Sequence, residues 1–328
     1  MRVLITGGGG FLGGALTRRL LERGDQVRIL ARGDYPELVA LGAEQVRADV
    51  ADAEAFERAA TDCDALIHTA AKVGWGPYAE FHRTNVVGTR NAITACRAAG
   101  VHRLVYTSTP SVVHTGGDVE GVDESVPYAT HFDAHYPRTK VEAERLVLAA
   151  NDRELSTVAL RPHLIWGPGD TQLLPRFADR WRSGRLRLCS GPPKLVDTIF
   201  IDNAVDAHLL ALDRLAPDAA CAGRAYFISN GEPLAIDEVV NGVLATAGLG
   251  PVEKRVPAWA AFVAGAIAEL VYATLRIRRE PPITRFVARQ LSTAHWFDIS
   301  AARRDLGFEP RISFAQGLQR LRETAEKQ

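Results

Sequence analysis

The sequence has few of the features of disulfide-bonded, metal-binding or nucleic-acid-binding proteins. Its 328 residues include only four cysteines, Cys63, Cys96, Cys189 and Cys221, and none are spaced as a metal or redox motif. Lysine and arginine together number 39, as do aspartate and glutamate, so the formal net charge is zero. A chain without excess positive charge lacks the electrostatic footprint of a nucleic-acid-binding protein. We therefore expect reduced thiols, no metal site, no nucleic-acid partner and a small-molecule ligand.

Long hydrophobic runs are also scarce. The chain begins directly with a strand pattern and lacks the charged and apolar regions of a signal peptide, so we expect a cytoplasmic protein. One apolar stretch, Pro257 to Leu275, is about as long as a transmembrane helix. Glu269 in its middle would place a carboxylate inside the bilayer, at a cost of about 2.5 to 3.5 kcal/mol. We predict no transmembrane span but a helix that lines an apolar pocket, with peripheral membrane contact as the alternative.

Hydrophobic patterning predicts an α/β fold. Up to about residue 165, short apolar strands alternate with amphipathic helices, as in a parallel sheet covered on both faces. The predicted strands are RVLIT, QVRIL, EQVRA, ALIHT, RLVYTS and STVALR. Predicted helices include Phe11 to Arg23 and Phe81 to Ala99, each followed by glycine, the usual residue after a helix end. The pattern indicates a doubly wound parallel sheet of the Rossmann type, followed by a smaller C-terminal lobe.

The segment TGGGGFLG, from Thr6 to Gly13, follows the first strand and fits the pattern TGxxGxxG. Gly7 permits a tight turn, Gly10 lets the backbone approach a pyrophosphate, and Gly13 lets the following helix pack against the strand. Gly8 and Gly9 are expected to add only flexibility. The context predicts a dinucleotide-binding turn, and a turn with a purely structural role is the alternative.

The end of the second strand, ILARGD, bears on the choice of nucleotide. Ala31 occupies the position where an acidic residue would hold the ribose 2′-hydroxyl of NAD, and Arg32 follows it. A guanidinium there would pair with a 2′-phosphate, which favours NADP(H). Asp34 nearby argues for NAD, and a solvated Arg32 is a further alternative. We predict an NADP(H)-binding core over residues 1–165 and a mainly substrate-binding lobe over residues 166–328, with some segments returning to the core.

Tyr136 and Lys140 in YPRTK are four residues apart and lie on one face of a predicted helix. An ammonium near the phenol would lower its pKa toward neutral and suit it to proton transfer to a ketone oxygen. A pair on the helix surface is the alternative. A hydroxyl at the end of the fifth strand, from Thr109 or Ser108, could hydrogen-bond the same oxygen.

Taken in chain order, these segments resemble the extended short-chain dehydrogenase/reductase family. The likeness includes ADVAD, HTAAK, TNVVGTRN, YTSTPSVV, YPRTK and LRPHLIWGPGD, and it extends over nearly the whole chain. Within the family, the sequence resembles the 3β-hydroxysteroid dehydrogenase branch. Segments such as HTAAKVGWGPY, AYFISNGEPL and DLGFEPRISFAQGLQRL are most similar to bacterial reductases of 2-alkyl-3-oxo acids in that branch.

The resemblance implies roles for individual residues. Those implied to be catalytic are Tyr136, Lys140, Thr109 and Asn85, with Thr109 standing where many members have serine. Lys140 would also hold the nicotinamide ribose, and Asn85 would steady the active-site helix. Residues implied to bind the cofactor are Gly7, Gly10, Phe11, Leu12, Gly13, Arg32, Asp49, Val50, Ala70, Lys140 and Pro162.

The resemblance also implies an activity, the NADPH-dependent reduction of a long-chain 2-alkyl-3-oxoalkanoic acid to the 3-hydroxy acid in olefinic hydrocarbon biosynthesis. It implies a homo-oligomer that works alongside a β-lactone synthetase and a β-lactone decarboxylase. One alternative is a dehydrogenase of 3β-hydroxysteroids or sterol carboxylates. A non-catalytic protein that senses a nucleotide is another.

Candidates to receive the substrate carboxylate lie near the predicted strand ends. Lys72 follows the fourth strand, where open α/β sheets bind ligands. Arg138 and His163 compete with it for this role, Ser108 is a further substrate contact, and a solvated Lys72 is the alternative. His68 ends the fourth strand, and we expect it to be structural or to line the cofactor cleft.

Overall fold

The computed structural model describes residues 1–171 and 173–325, so the last three residues of the predicted lobe, 326–328, lie outside the described residues. The strands in the described ranges are β1 Arg2–Thr6, β2 Gln26–Ala31, β3 Glu44–Arg47, β4 Ala65–His68, β5 Arg103–Thr107, β6 Val119–Val122, β7 Ser156–Pro162, β8 Ile165–Trp166, β9 Leu188–Ser190, β10 Leu195–Val196, β11 Ile199–Phe200, β12 Arg224–Ile228, β13 Leu234–Ala235, β14 Arg255–Pro257 and β15 His295–Phe297.

The α-helices in the same ranges are α1 Phe11–Glu22, α2 Pro36–Ala40, α3 Ala53–Ala60, α4 Tyr78–Phe81, α5 Gly88–Ala99, α6 His135–Ala149, α7 Leu173–Arg182, α8 Ile201–Arg214, α9 Ile236–Thr246, α10 Ala258–Thr274, α11 Arg285–Gln290, α12 Ser300–Leu306 and α13 Phe314–Ala325. A π-helical segment spans His82–Val87, and a 3₁₀ turn spans Pro110–Val112.

Seven parallel strands form the central sheet, in the order β12-β7-β5-β4-β1-β2-β3. Successive side chains of a strand point to opposite faces, and β1 shows this clearly. Val3 and Ile5 are buried in one hydrophobic cluster, whereas Leu4 is buried in another. Both faces of the sheet are therefore covered, which confirms the predicted doubly wound fold.

Segments cross the predicted boundary at residue 165 in both directions. Strand β12 pairs with β7 and forms one edge of the central sheet, although it comes from the second half of the chain. Strand β6 comes from the first half but belongs to a smaller sheet, in the order β13-β10-β15-β6. The division into two domains stays a prediction.

The helix predicted over Phe81 to Ala99 is interrupted. Helix α4 ends at Phe81, the π-helical segment follows, and α5 begins at Gly88. Gly88 faces Val50 so closely that an added Cβ would lie 2.7 Å from the Val50 Cγ2. The π-helical segment carries Asn85, and π-helical turns often accompany functional residues.

The apolar stretch near residue 260 forms α10, which packs against α11. Glu269 is buried there, and it accepts hydrogen bonds from the backbone N–H and Nε of Arg285, at 2.7 and 2.6 Å. The carboxylate therefore holds the first residue of α11. Within residues 1–171 and 173–325, no helix has the length and hydropathy needed to cross a membrane.

Candidate functional site

A cavity of about 1690 Å³ follows the carboxyl ends of the central strands and continues between the helices of the second half. This is the edge at which open α/β sheets bind ligands. The predicted residues that line it are Gly7, Gly10, Phe11, Leu12, Gly13, Arg32, Asp49, Val50, Ala70, Ser108, Thr109, Tyr136, Lys140, Pro162 and His163. Asn85 and Lys72 are predicted site residues that do not line it.

The glycine turn is the tightest part of the cavity wall. Gly7 has a φ of 68°, and its N–H donates to the Leu30 carbonyl at 2.9 Å. A Cβ on Gly13 would overlap with the Gly7 carbonyl, so α1 packs directly on the turn. The first N–H groups of a helix have no intrahelical acceptor, and those of α1 begin at this wall. The turn therefore fits the pyrophosphate of a dinucleotide.

The expectation that Gly8 and Gly9 add only flexibility is wrong. A Cβ on Gly8 would lie 2.7 Å from the Ile29 Cβ, and a Cβ on Gly9 would overlap with the ring of Tyr35. Tyr35 also packs over Gly33, where an added Cβ would lie 2.7 Å from the phenol oxygen. Gly8 is thus required by close packing against β2, whereas a side chain at Gly9 would force the Tyr35 ring to move.

The wall after β2 and β3 carries the residues predicted to bind the adenosine. Arg32 is exposed, lines the cavity and has no ion pair within the described chain. Asp34 is exposed but does not line the cavity. Asp49 accepts a hydrogen bond from the Ala51 N–H at 3.0 Å, and its carboxylate lies 3.5 Å from the Arg83 guanidinium. Among the described residues of this wall that line the cavity, Arg32 is therefore the only cation, and it has no carboxylate partner.

The phenol of Tyr136 lies on α6 beside the end of β5. Burial raises the pKa of Tyr136 to about 12, and a hydrogen bond from the Thr109 side chain opposes this shift. The predicted lowering of this pKa by Lys140 is therefore wrong for the protein alone, because desolvation outweighs any effect of the ammonium. Tyr136 is protonated at neutral pH, as a proton donor must be.

Lys140 lies one helical turn beyond Tyr136 and is buried. Its Nζ donates to the Thr107 carbonyl at 2.6 Å and lies 4.1 Å from the centre of the Tyr106 ring. Burial lowers the pKa of Lys140 to about 7, although Glu144 opposes the shift. Its charge can therefore change near neutral pH.

Asn85 is buried and connects two walls of the site. Its Oδ1 accepts from the Lys72 N–H at 2.7 Å, and its Nδ2 donates to the Lys72 carbonyl at 3.1 Å. The same Nδ2 donates to the Thr139 hydroxyl at 2.9 Å. Thr139 lies on α6 between Tyr136 and Lys140, so Asn85 fixes α6 against the segment after β4. This geometry makes it a positioning residue.

A buried ion pair that sequence reasoning missed also holds α6. The Arg161 Nη2 donates to the Glu144 Oε1 at 2.6 Å, and the Tyr128 hydroxyl donates to the same oxygen at 2.7 Å. Glu144 lies one turn after Lys140, and Arg161 directly precedes Pro162 on β7. The helix with the predicted proton donor is thus tied to the strand that ends beside it.

The hydroxyls after β5 differ in their surroundings. Thr109 caps the 3₁₀ turn by accepting from the Ser111 N–H at 3.2 Å, and it also faces Tyr136. Ser108 is buried, and its Oγ has no hydrogen-bond partner within the described chain. Both line the cavity, so Thr109 suits the ketone oxygen and Ser108 has free hydrogen-bonding capacity.

The three candidates to bind the substrate carboxylate, Lys72, Arg138 and His163, differ in their position, exposure and charge. The Lys72 ammonium lies 3.1 Å from the Glu80 carboxylate, and Lys72 does not line the cavity. Arg138 lines the cavity, but it is exposed, and its Nε lies 3.5 Å from Glu142. His163 is buried in the wall, and burial holds its pKa well below the usual value, so it is a neutral hydrogen-bonding group. The geometry disfavours Lys72.

Histidines near the site have contrasting roles. His68 is buried with its Nδ1 2.6 Å from the Thr6 hydroxyl and its Nε2 3.2 Å from the Thr89 hydroxyl, so it is structural. His163 contacts His295 edge to face, with ring centres 4.8 Å apart. The Nδ1 atoms of both are buried without a partner in the described ranges. Sequence reasoning missed His295, since it lies far from every motif.

The far part of the cavity is formed by helices α7, α9, α10 and α11. Its wall is mainly apolar, with lining residues Leu173, Phe177, Val196, Val239, Val240, Ala266, Leu270, Phe286 and Leu291. Two carboxylates of this wall are neutralised, since Glu280 lies 2.9 Å from Arg176 and Glu269 lies 2.6 Å from Arg285. Arg180 lines the same wall without an ion pair in the described chain. This part suits an amphipathic ligand with long hydrocarbon segments.

Comparisons with known proteins agree with this geometry. The model of the 3-beta hydroxysteroid dehydrogenase/isomerase family matches residues 4–256. A 2-alkyl-3-oxoalkanoate reductase of Stenotrophomonas maltophilia is 54% identical over 98% of this chain and 98% of its own length. A protein of the same name from Shewanella oneidensis is 46% identical over 97% of this chain and 84% of its own length.

Solved structures show the same fold. MoeE5 in complex with UDP-glucuronic acid and NAD superposes with a TM-score of 0.75 at 25% identity, covering 100% of this chain and 99% of that one. The family uses a nicotinamide cofactor, and the glycine turn of this chain fits such a dinucleotide. The chain is an oxidoreductase of the 3-beta hydroxysteroid dehydrogenase/isomerase family, within the extended short-chain dehydrogenases/reductases.

Proposed function

We propose that this protein is an NADPH-dependent reductase of long-chain 2-alkyl-3-oxoalkanoic acids. One observation carries the proposal. A single cavity joins the glycine turn, the Tyr136 phenol with Thr109 beside it, and an apolar chamber formed by α7, α9, α10 and α11. The two relatives named 2-alkyl-3-oxoalkanoate reductase support it, since they match nearly the whole chain, including the chamber.

The residues of the chain account for the proton in the reaction. A nicotinamide dinucleotide held at the glycine turn and beside Lys140 would supply the hydride for the ketone carbon. Tyr136 is protonated at neutral pH, and its O–H donates a proton to the ketone oxygen, which becomes the hydroxyl of the product. Thr109 orients that oxygen by a hydrogen bond, and Lys140 places positive charge near the phenolate that remains. Asn85 holds α6, and with it Tyr136, against the segment after β4.

The preference for NADP(H) rests on the wall after β2. Arg32 lines the cavity without a carboxylate partner in the described ranges, and Ala31 supplies no acidic group for a 2′-hydroxyl. A guanidinium can pair with a 2′-phosphate through two hydrogen bonds. Asp34 lies outside the lining, so it does not oppose this charge inside the cavity.

Ser108 and His163 are the proposed partners of the substrate carboxyl group. In a 3-oxo acid, a single carbon separates the carboxyl carbon from the ketone carbon, so its receptor must lie beside Thr109. Ser108 directly precedes Thr109 after β5. His163 directly follows β7, which pairs with β5 in the central sheet. Both residues line the cavity with buried polar atoms that lack a partner in the described chain.

A comparison of acid and methyl-ester substrates tests this assignment. Ser108→Ala should reduce the preference of kcat/KM for the acid over the ester by about tenfold, as for the loss of one hydrogen bond to a charged group. Lys72→Ala is the matched control and should leave the preference unchanged. A loss of preference in Lys72→Ala or Arg180→Gln, with none in Ser108→Ala, would move the carboxyl group to another wall.

The proposed compartment and partners are those implied by the family resemblance. We propose a cytoplasmic homo-oligomer that acts together with a β-lactone synthetase and a β-lactone decarboxylase in making olefinic hydrocarbons. The four cysteines are free thiols, as expected in a reducing compartment. Co-purification of a tagged chain from cells that produce both enzymes tests the association, and recovery of the tagged chain alone would count against it.

A dehydrogenase of 3β-hydroxysteroids or sterol carboxylates is the second candidate, because the family model carries the steroid name. A non-catalytic nucleotide sensor is disfavoured because Tyr136 and Lys140 both face the cavity. Parallel assays with NADP+ separate the three. Oxidation of a long-chain 2-alkyl-3-hydroxy acid supports the proposal, turnover of only a 3β-hydroxysteroid supports the second candidate, and nucleotide binding without turnover of either supports the sensor.

A further inference from the structure

Helix α10 presents an unusual surface to solvent. Trp259, Val263, Ile267, Leu270 and Val271 follow the spacing of one helix face, and Leu275 continues it just beyond the helix end. These six side chains, which we call the apolar stripe, are between 44% and 71% exposed. They include most of the large exposed hydrophobic side chains in the described ranges. Scattered single exposures are ordinary, but a contiguous stripe indicates a surface that is covered in use.

The charges that directly follow this stripe are basic. The only charged residue in α10 is Glu269, which is buried and bound to Arg285. Arg276, Arg278 and Arg279 follow the end of the helix, and all are exposed. None of the three has an ion pair in the part of the chain that the structure describes. The stripe is therefore uncharged and ends in three free guanidinium groups.

The stripe is also continuous with the cavity. Leu270 belongs to the exposed stripe and lines the cavity, and Ala266 and Ala273 on the same helix line it as well. A molecule that covers the stripe would therefore lie at the edge of the apolar chamber.

We propose that α10 docks this protein on an anionic lipid surface, with the apolar stripe in the headgroup boundary and Arg276, Arg278 and Arg279 on lipid phosphates. An apolar helix face flanked by basic residues is the pattern of interfacial membrane helices. Charge complementarity favours lipid over a second copy of the chain, because a copy would bring its own three arginines and offers no acidic residue on the stripe. Docking itself is independent of the proposed function. The further step, entry of a long-chain substrate from the lipid, rests on it.

Vesicle flotation of the full-length chain, without nucleotide or substrate, tests the docking. Vesicles of phosphatidylcholine alone are compared with vesicles that also contain phosphatidylglycerol. We expect binding to the anionic vesicles to be at least tenfold stronger, and each arginine changed to glutamine to weaken it by about fivefold. The double variant Trp259→Ser with Ile267→Ser should abolish the binding. Leu41→Ser, which alters an exposed leucine far along the chain from α10, is the matched control and should bind like the unchanged chain.

Two results would overturn the proposal. One is a flotation result: either the chain binds both vesicle types equally, or the double variant binds as well as the unchanged chain while its circular dichroism spectrum is the same. The other comes from sedimentation: a dimer that the double variant converts to a monomer, without vesicle binding, would make the stripe a contact between copies. Because neither measurement uses turnover, failure here leaves the proposed reaction intact, and failure of the enzyme assay leaves docking intact.

Discussion

The two ends of the cavity are built in different ways. At the cofactor end, one short segment makes the wall from backbone, and close packing excludes a side chain at Gly8 and Gly13. At the substrate end, the wall consists of side chains from four helices, α7, α9, α10 and α11, spread over about a third of the chain. A backbone-built site leaves a local pattern in the sequence, whereas a side-chain-built site depends on packing between distant segments.

The largest effect is expected at the glycine turn. Gly13→Ala places a Cβ against the Gly7 carbonyl, and such overpacking costs about 1 to 3 kcal/mol of folding stability and displaces α1 from the turn. We expect loss of NADPH binding by calorimetry and a lower Tm. Gly14→Ala is the matched control, since its Cβ would meet only the Gly8 carbonyl oxygen at 3.7 Å. Equal binding by both variants would contradict the backbone account of this end.

Lys140 joins the two ends, and its protonation should control the rate. Burial lowers its pKa to about 7, so the ammonium is present below that pH and is lost above it. In the proposed reaction this charge stabilises the phenolate left on Tyr136, and therefore kcat/KM for reduction should fall as pH rises through about 7. Lys140→Met should lower the rate by about 100-fold and remove this inflection. A pH profile that is the same in both proteins would exclude the role.

Asn85 should affect stability and turnover together. Asn85→Ala leaves the Lys72 backbone and the Thr139 hydroxyl without their buried partner, at a cost of about 2 to 3 kcal/mol in the free energy of unfolding. A positioning role predicts that kcat falls while KM for the ketone changes little. Thr139→Val removes the Asn85 bond to α6, together with the bonds of the same hydroxyl to the His135 and Tyr136 carbonyls, but keeps both bonds between Asn85 and Lys72. It should reproduce the fall in kcat with a smaller loss of stability. Unchanged kcat in both variants would leave Asn85 purely structural.

Arg32 should set the choice of nucleotide. Arg32→Ala should raise KM for NADPH by about tenfold or more, as expected for a lost hydrogen bond to a charged group, and leave KM for NADH unchanged. Asp34→Asn is the control, because Asp34 does not line the cavity, and should change either value less than twofold. Equal effects of Arg32→Ala on both nucleotides would refute the NADP(H) preference.

The smallest effect is expected at the substrate end, where no single residue dominates. Ala266→Trp should shift the substrate preference toward shorter alkyl chains by about fivefold, less than in a tight pocket because this chamber is wide. Ala264→Trp adds the same bulk on an exposed residue of α10 that does not line the cavity. An unchanged chain-length preference in Ala266→Trp would show that alkyl chains lie elsewhere.

Sequence patterns predicted the parts of the molecule that depend on local rules. The six strands predicted before residue 165 all occur in the central sheet. Five of them carry the apolar runs of buried parallel strands, whereas β3 is an edge strand without a buried residue. The place of Tyr136 and Lys140 on one helix followed from their spacing. The π-helical segment at Asn85 and the required small size of Gly8 against Ile29 were not predictable, since each depends on packing against a distant segment.

Electrostatics were predicted less well than geometry. The spacing of Tyr136 and Lys140 indicated that they lie on one face of a helix. Burial nevertheless raises the pKa of Tyr136, whereas a lower pKa was expected. The Glu144–Arg161 pair and the neutral His163 also depend on burial, which a linear sequence does not give. The apolar stretch of α10 was recognised from composition, whereas its exposed stripe became visible only in the folded chain.

In the proposed reaction, Tyr136 protonates a ketone held where the two ends of the cavity meet. The most direct test follows absorbance of the reduced cofactor when a long-chain 2-alkyl-3-hydroxy acid is added with NADP+, in the unchanged chain and in Tyr136→Phe. The oxidative direction is used because 3-oxo acids lose carbon dioxide. We expect a steady increase in absorbance in the unchanged chain. In Tyr136→Phe the rate of this increase should be at least about 100-fold lower, with nucleotide binding unchanged. An equal rise in both proteins, or none in the unchanged chain, would contradict it.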